Sequence, residues 1–336
     1  MVNQALNKKS LQYGILKNIN FHNLITKLLP ITWELFSTKR KSIYAKHVIV
    51  TGGSSGIGLN IALRCAQEGA SVTVIARDTF RLGKAVEELE RNRKHPEQKF
   101  GFKSLDISES YEKVTTCFSE LENSVGPIYM LVNCAGLAIC GVFEEISLED
   151  AKKQMDVNYY GTYYCTRWVL PKMKAAKEGI IVITASQAGL IGLYGYGPYA
   201  ASKFALRGMA ESIAMETQHM GITVTLALPC DTNTPGFETE EKTKPTATKI
   251  ISASGGLAKP EDVANKIIDD ALSGSFFSVL GIESWAITVL CCGMAQWGTP
   301  LQKILQVLLM GPLRCLGFFV QWNFTRIIKS CDGRDN

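Results

Sequence analysis

Residues 48–58 constrain the chain most tightly. Val48-Ile49-Val50 is a short apolar run, followed at once by Thr51-Gly52-Gly53-Ser54-Ser55-Gly56-Ile57-Gly58 and then by a helical stretch, Leu59 to Glu68. An apolar run of this length, bounded by turn residues, reads as a strand buried on both faces, the kind found in parallel sheets. Strand, glycine-rich turn and helix together make the opening of a βαβ unit whose turn cradles a dinucleotide pyrophosphate. The missing side chains let the backbone approach the phosphates, and the helix N-terminus faces their charge. Ser54 and Ser55 can add hydroxyl donors. Gly52, Ser54, Ser55, Gly56, Ile57 and Gly58 are therefore candidate cofactor residues. A glycine turn alone could be a tight loop; the strand before it and the helix after it favour the cofactor site.

The rest of the chain repeats the alternation. Strands are predicted at Ser71–Ala76, 99–105, 128–132, 180–184, 222–228 and 276–280. Helices are predicted at 80–93, 110–123, 147–174 and 260–272, with a further helix around Tyr199. Such alternation specifies an α/β fold with a doubly wound parallel sheet, Rossmann-type and in one domain. Ligands bind at the carboxyl ends of such strands. The second strand ends Ala76-Arg77, nineteen residues beyond Gly58, with Arg81 four residues later. A NAD site would place a carboxylate there for the ribose hydroxyls, whereas a guanidinium suits a 2′-phosphate. Arg77 and Arg81 thus point to NADPH, although Asp78 is adjacent and Arg81 also fits a solvated helix position. Asp106-Ile107, at the next strand end, can meet the adenine, or Asp106 can cap the helix starting near Ser110. Asn133-Cys134-Ala135-Gly136 closes the fourth strand with small residues that leave room for a nicotinamide. The polar stretch 231–256 is too long for a connector and is expected to be a lid loop.

Tyr199-Ala200-Ala201-Ser202-Lys203 follows a glycine-rich loop, 189–197. Residues four apart share one face of a helix. A phenol is a poor acid–base group near neutrality, with a pKa of about 10. A neighbouring ammonium is expected to lower it and fit it for proton transfer. By itself such a pair usually marks a solvated helix face; the cofactor turn gives it weight.

Charge is uneven. Residues 1–46 hold eight basic residues against Glu34 alone, a net +7, which leaves the remaining chain at −2 of the total +5. This is a basic arm on a near-neutral body, with no zinc-finger spacing and no basic-aromatic groove for nucleic acid. The arm reads either as a disordered or loosely helical extension or as a segment lying on an anionic membrane. Ten cysteines without a framework or a metal knuckle fit a reducing compartment, and no metal site is expected. Residues 281–336 are apolar. Ser284 to Gln302 carries no charge, and Ile304 to Thr325 carries only Arg314. A membrane hairpin, an interfacial docking segment and an apolar oligomer interface all remain open. The expected division is a basic arm (1–46), a catalytic domain (47–280) and a membrane-associating segment (281–336).

The glycine turn, Asn133-Cys134-Ala135-Gly136, Asn158, Ser186 and Tyr199-x-x-x-Lys203 together resemble the short-chain dehydrogenase/reductase family over about residues 46–280. Ser186 lies thirteen residues before Tyr199, as in that family. The resemblance implies that Tyr199, Lys203, Ser186 and Asn158 are catalytic and that Asn133, Tyr199 and Lys203 contact the cofactor. Tyr199 would give a proton to the developing alkoxide, Ser186 would donate to the carbonyl oxygen, and Lys203 would bond the nicotinamide ribose. Asn158 would hold a water leading from Lys203 to solvent. Ser186-Gln187-Ala188-Gly189, Asp231 to Phe237, Lys244-Pro245 and Cys292-Gly293-Met294-Ala295 are most similar to the branch that reduces 3-oxosphinganine to sphinganine. Cys134, Cys230 and Asn233 depart from its pattern, and the basic arm stands where that branch carries an apolar anchor. The resemblance implies a long-chain keto-amine lipid substrate, the endoplasmic reticulum membrane and an active site facing the cytosol. Dimers are the family's habit. Asp231 is a candidate to meet the substrate amine, or a loop cap. A retinoid or steroid dehydrogenase would share every catalytic residue, and a non-catalytic NADP(H)-binding scaffold would be expected to lose Tyr199 or Lys203.

Overall fold

The computed structural model describes residues 40–253, 255–294 and 300–331. Most of the basic arm (residues 1–39) lies outside the described residues. Its end does not dangle: Arg40 reaches Glu68 and Asp269 at 3.0 Å each, and Lys41 Nζ donates to the carbonyls of Gly179 and Gly221. Seven strands form one parallel sheet: β1 (His47–Thr51), β2 (Ser71–Ala76), β3 (Phe100–Ser104), β4 (Ile128–Asn133), β5 (Gly179–Thr184), β6 (Ile222–Ala227) and β7 (Phe277–Ser278). Their order is β3-β2-β1-β4-β5-β6-β7. The order reverses between β1 and β4, so the crevice that binds ligands opens above Thr51 and Asn133.

Period-2 alternation builds a core on each face. Val48 and Val50 point to one side, where they meet Ile61 of α1 (Gly56–Gln67), Leu82 of α2 (Thr79–Arg91) and Ile267 of α9 (Pro260–Leu272). Ile49 and Ile181 point to the other, against Phe118 of α3 (Tyr111–Val125) and Trp168 of α5 (Gly161–Ala176), whose rings meet edge to face at 5.5 Å. Leu206 of α6 (Gly197–Thr217) completes that layer.

Two elements differ from the sequence expectation. The helix predicted over 147–174 is α4 (Leu148–Met155) joined to α5 through a π-turn, Asp156–Tyr160. The predicted lid loop contains two short helices, α7 (Pro235–Glu241) and α8 (Thr246–Ala253). Thr234 caps α7 by accepting from the Phe237 N–H at 3.1 Å, and Pro235 occupies its first turn. Among the described residues, the charge-free run from Ser284 enters α10 (Ile282–Leu290), with Ser284, Thr288 and Val289 buried against the body. α11 (Pro300–Cys331) follows, and Leu301–Cys331 is long and apolar enough to cross a membrane.

Candidate active site

A cavity of about 1600 Å³ runs from the turn after β1 across the carboxyl ends of β2, β4, β5 and β6 to α11. Gly52, Ser54, Ser55, Gly56, Ile57, Gly58, Arg77, Arg81, Asp106, Ile107, Ser186, Tyr199 and Lys203 all line it. Asn133 and Asn158 do not; they lie behind its wall, buried.

The glycine turn is shaped by close backbone approach. Gly52 has φ +68°, and a Cβ there would sit 2.7 Å from the Ala135 nitrogen. At Gly58 a Cβ would sit 2.3 Å from the Gly52 oxygen, so the turn folds onto the first turn of α1 only without side chains. Ser55 stands at the N-cap of α1 but makes no side-chain cap bond. Its hydroxyl and the first amides of α1 border the cavity, which is the donor set an anionic pyrophosphate requires. The residues present therefore fit a dinucleotide.

At the end of β2, Arg77 is 3.7 Å from Asp106, and both are partly exposed. Asp78 is engaged as the N-cap of α2, accepting from the Arg81 N–H at 3.0 Å. Asp106 does not cap α3; Ser110 does. Asp106 instead accepts from the hydroxyl (2.6 Å) and the amide (3.0 Å) of Ser108. Burial pulls its pKa upward, but those two bonds and Arg77 outweigh burial and hold it below the ordinary carboxylate value.

The chemical centre is assembled by β5, α6 and the π-turn. Ser186 starts a short turn after β5, and its Oγ accepts from the Ala188 N–H at 3.2 Å. The Ser186 hydroxyl also acts on the Tyr199 phenol, favouring its ionised form. Lys203, 4% exposed, donates to the Thr184 carbonyl at 3.1 Å, and its ammonium lies 5.6 Å from the centroid of the Tyr199 ring. Burial lowers the Lys203 pKa to about 8. Tyr199 runs against expectation: burial and then the Glu240 charge push its pKa up, opposed by the Ser186 bond.

Asn158 occupies the π-turn. Its amide donates to the Leu137 carbonyl and the Ser202 hydroxyl, each at 2.9 Å, and its oxygen accepts from the Leu137 N–H at 2.9 Å. Both amide protons are therefore committed to protein, and the side chain ties the β4 loop to α6. Asn133 is likewise structural in its contacts, donating to Thr166 at 3.1 Å beneath the sheet end. Sequence reading missed Ser202, which passes the chain of bonds on to the Tyr199 carbonyl at 2.7 Å. Its position three residues after Tyr199, on the same helix face, was the available signal.

A second polar group was also missed. Glu240 and Asp231 line the cavity. Tyr196 donates to Glu240 at 2.5 Å. Lys244, whose side chain is fully buried, lies 3.0 Å from Glu240, 2.5 Å from Glu241 and 3.8 Å from Asp231. Three carboxylates thus share one ammonium, and this corner of the cavity is net negative. The i,i+3 and i,i+4 spacing of Glu241, Glu240 and Lys244 was the signal in the sequence.

Fold and site define a dinucleotide-dependent oxidoreductase, and the short chain dehydrogenase family model matches residues 46–245. The chain belongs to the short-chain dehydrogenase family. It is 41% identical over 304 residues to a 3-dehydrosphinganine reductase of Danio rerio, covering 90% of this chain and 92% of the relative. A 3-ketodihydrosphingosine reductase of Bos taurus is 40% identical over the same shares. Among solved structures, an actinorhodin polyketide ketoreductase determined with NADPH superposes with a TM-score of 0.63 at 26% identity, covering 70% of this chain and 95% of that one. Family and fold carry a nicotinamide cofactor.

Proposed function

We propose that this chain reduces 3-oxosphinganine to sphinganine with NADPH, at an endoplasmic reticulum membrane and with its site facing the cytosol. The observation that carries the substrate reading is the placement of Asp231 and Glu240 in the cavity that holds Tyr199 and Ser186. A keto-amine brings an ammonium one carbon from the reacting carbonyl, and the net-negative corner beside Tyr199 offers it a counter-charge. The relatives of Danio rerio and Bos taurus support the same substrate.

A reduced nicotinamide, when bound, supplies hydride to the ketone carbon. Ser54, Ser55 and the amides opening α1 would hold its pyrophosphate, and Arg77 and Arg81 the 2′-phosphate, with Asp78 occupied as a helix cap. With substrate bound, Ser186 donates its hydroxyl proton to the carbonyl oxygen, where negative charge develops. Tyr199 delivers the proton to that oxygen, and its raised pKa keeps the phenol loaded for the reductive direction. Lys203 keeps positive charge beneath the phenol as it gives up the proton. Asn158 and Ser202 act as positioning residues, fixing the Tyr199 turn of α6 against the β4 loop.

Purified protein incubated with NADPH and 3-oxosphinganine is expected to yield sphinganine, detected by mass spectrometry. Glu240→Gln should raise KM for the keto-amine about tenfold, the worth of one charge-assisted bond, while a neutral ketone is unaffected. Turnover of a retinoid or steroid ketone with no sphinganine formed would overturn the substrate reading.

A further inference from the structure

The cavity does not end at the catalytic residues. Beyond Ile191 and Leu193 it continues between α10 and α11, lined there by Ile287, Leu290, Leu313, Gly317, Val320 and Phe324. Its volume of about 1600 Å³ exceeds the roughly 300–1,000 Å³ of ordinary small-ligand pockets. The two ends differ in chemistry. One holds Tyr199, Ser186, Asp231 and Glu240; the other is predominantly aliphatic and aromatic. The far wall is firmly attached to the catalytic centre: Gln187, in the turn after Ser186, donates to Ser284 of α10 at 2.7 Å. α11 in turn packs on α8 and α10. Its opposite face is apolar and exposed, with Val307 at 78% and Leu308 at 65%.

We propose that the cavity-facing side of α11, together with α10, is the binding site for the alkyl chain of the substrate. The membrane-associating helix is then also a wall of the active site. The inference rests on the keto-amine lipid reading above and adds where its chain goes. One amphiphile satisfies both ends at once: an ammonium and ketone at the polar end, a single long alkyl chain in the apolar arm. Because the outer face of α11 suits hydrocarbon, the chain passes from bilayer to cavity along this helix without its apolar surface entering water.

Gly317 is the place to test the site. A Cβ built there meets only Leu290 Cδ1, at 3.9 Å, an ordinary contact. Gly317→Leu therefore fits the helix and extends into the alkyl arm, and leucine is the better helix former. Full-length native protein, Gly317→Leu and the outward-face control Val307→Leu are compared on a long-chain keto-amine and a truncated, water-soluble one. Gly317→Leu is expected to lower the long-to-short ratio of kcat/KM at least tenfold with the short-chain rate unchanged, and Val307→Leu to leave the ratio alone. An unchanged ratio in Gly317→Leu, or equal losses on both substrates, overturns the proposal. If the native protein reduces neither keto-amine, the substrate reading fails by itself, and the chain site is judged by photolabelling. A long-chain alkyl amine with a terminal diazirine should then label α10 in the native protein and lose that labelling in Gly317→Leu; equal labelling of both overturns the site.

Discussion

Tyr199 and Lys203 share a helix face, as a spacing of four requires, but their protonation is set by what surrounds the helix. Lys203 is buried and donates to the Thr184 carbonyl, and burial brings its pKa down to about 8. Tyr199 is pushed the other way by burial and by Glu240. The pair was legible in the sequence, whereas the direction of the Tyr199 shift was not, because Glu240 lies forty-one residues further along the chain and meets the cavity only through folding. The sign for activity follows. Reduction needs a protonated phenol and a charged ammonium. The phenol is shifted up and the ammonium down, so the ammonium titrates first and limits. kcat/KM for reduction should be level below pH 8 and fall as pH rises through about 8. Lys203→Arg, with a guanidinium that stays charged, should lose that alkaline fall even where its rate is lower. A native profile that is flat to high pH would contradict the assignment. Tyr199→Phe removes the proton donor and should lower kcat by about a hundred- to ten-thousand-fold with NADPH binding retained, read by turnover and by cofactor fluorescence titration.

The segment between β6 and α9 shows how local chemistry can be present in a sequence and still be outweighed by composition. Residues 231–256 are polar, and polarity suggested a loop. Yet Thr234-Pro235 is a cap followed by a first-turn proline, and Glu240, Glu241 and Lys244 fall at helical spacing. Strands β1, β4 and β5, by contrast, were legible because each is a buried apolar run with no competing signal. The π-turn at Asp156–Tyr160 had no such signal; it forms where Asn158 must reach Leu137 and Ser202 simultaneously, a tertiary demand. The buried Lys244 answers Glu240 and Glu241 of α7 and Asp231 before it, and donates to Ser252 of α8 at 3.1 Å; its pKa is raised because Glu241, Glu240 and Asp231 outweigh its desolvation. Lys244→Met would leave those carboxylates facing one another in a partly buried corner. Removing one member of a buried ionic group costs about 3–5 kcal/mol, so a clear drop in Tm is expected, with early protease cleavage between β6 and α9. An unchanged Tm would show that the corner is solvated enough to do without its cation.

At the C-terminal end of the chain, composition indicates apolar character but not how each run is held. Ser284 to Gln302 and Ile304 to Thr325 look alike as apolar runs, but they diverge. α10 is held to the body through Gln187 and Ser284, and Arg207 donates to the Cys292 carbonyl just beyond it at 3.3 Å. Both bonds join residues some eighty or more positions apart, and nothing local in the run announces them. α11 packs on α8 and α10. At 1.5 Å per residue its thirty-two residues extend about 48 Å, well beyond a hydrocarbon core of about 30 Å. A crossing by this helix would require it to tilt, or to leave its ends in the headgroup region. The charges agree with this. Lys303, Arg326 and Lys329 lie near the ends, and the mid-helix Arg314 borders the cavity with its guanidinium 4.7 Å from the Phe318 ring. If α11 holds the protein on the membrane, a chain ending at Met294 keeps the whole sheet, the cofactor cradle and the Tyr199 centre. It should move from the membrane pellet to the supernatant in alkaline carbonate, while still binding NADPH and reducing a truncated keto-amine. A truncated chain that stays in the pellet would place the attachment elsewhere, on the basic arm or on the body itself.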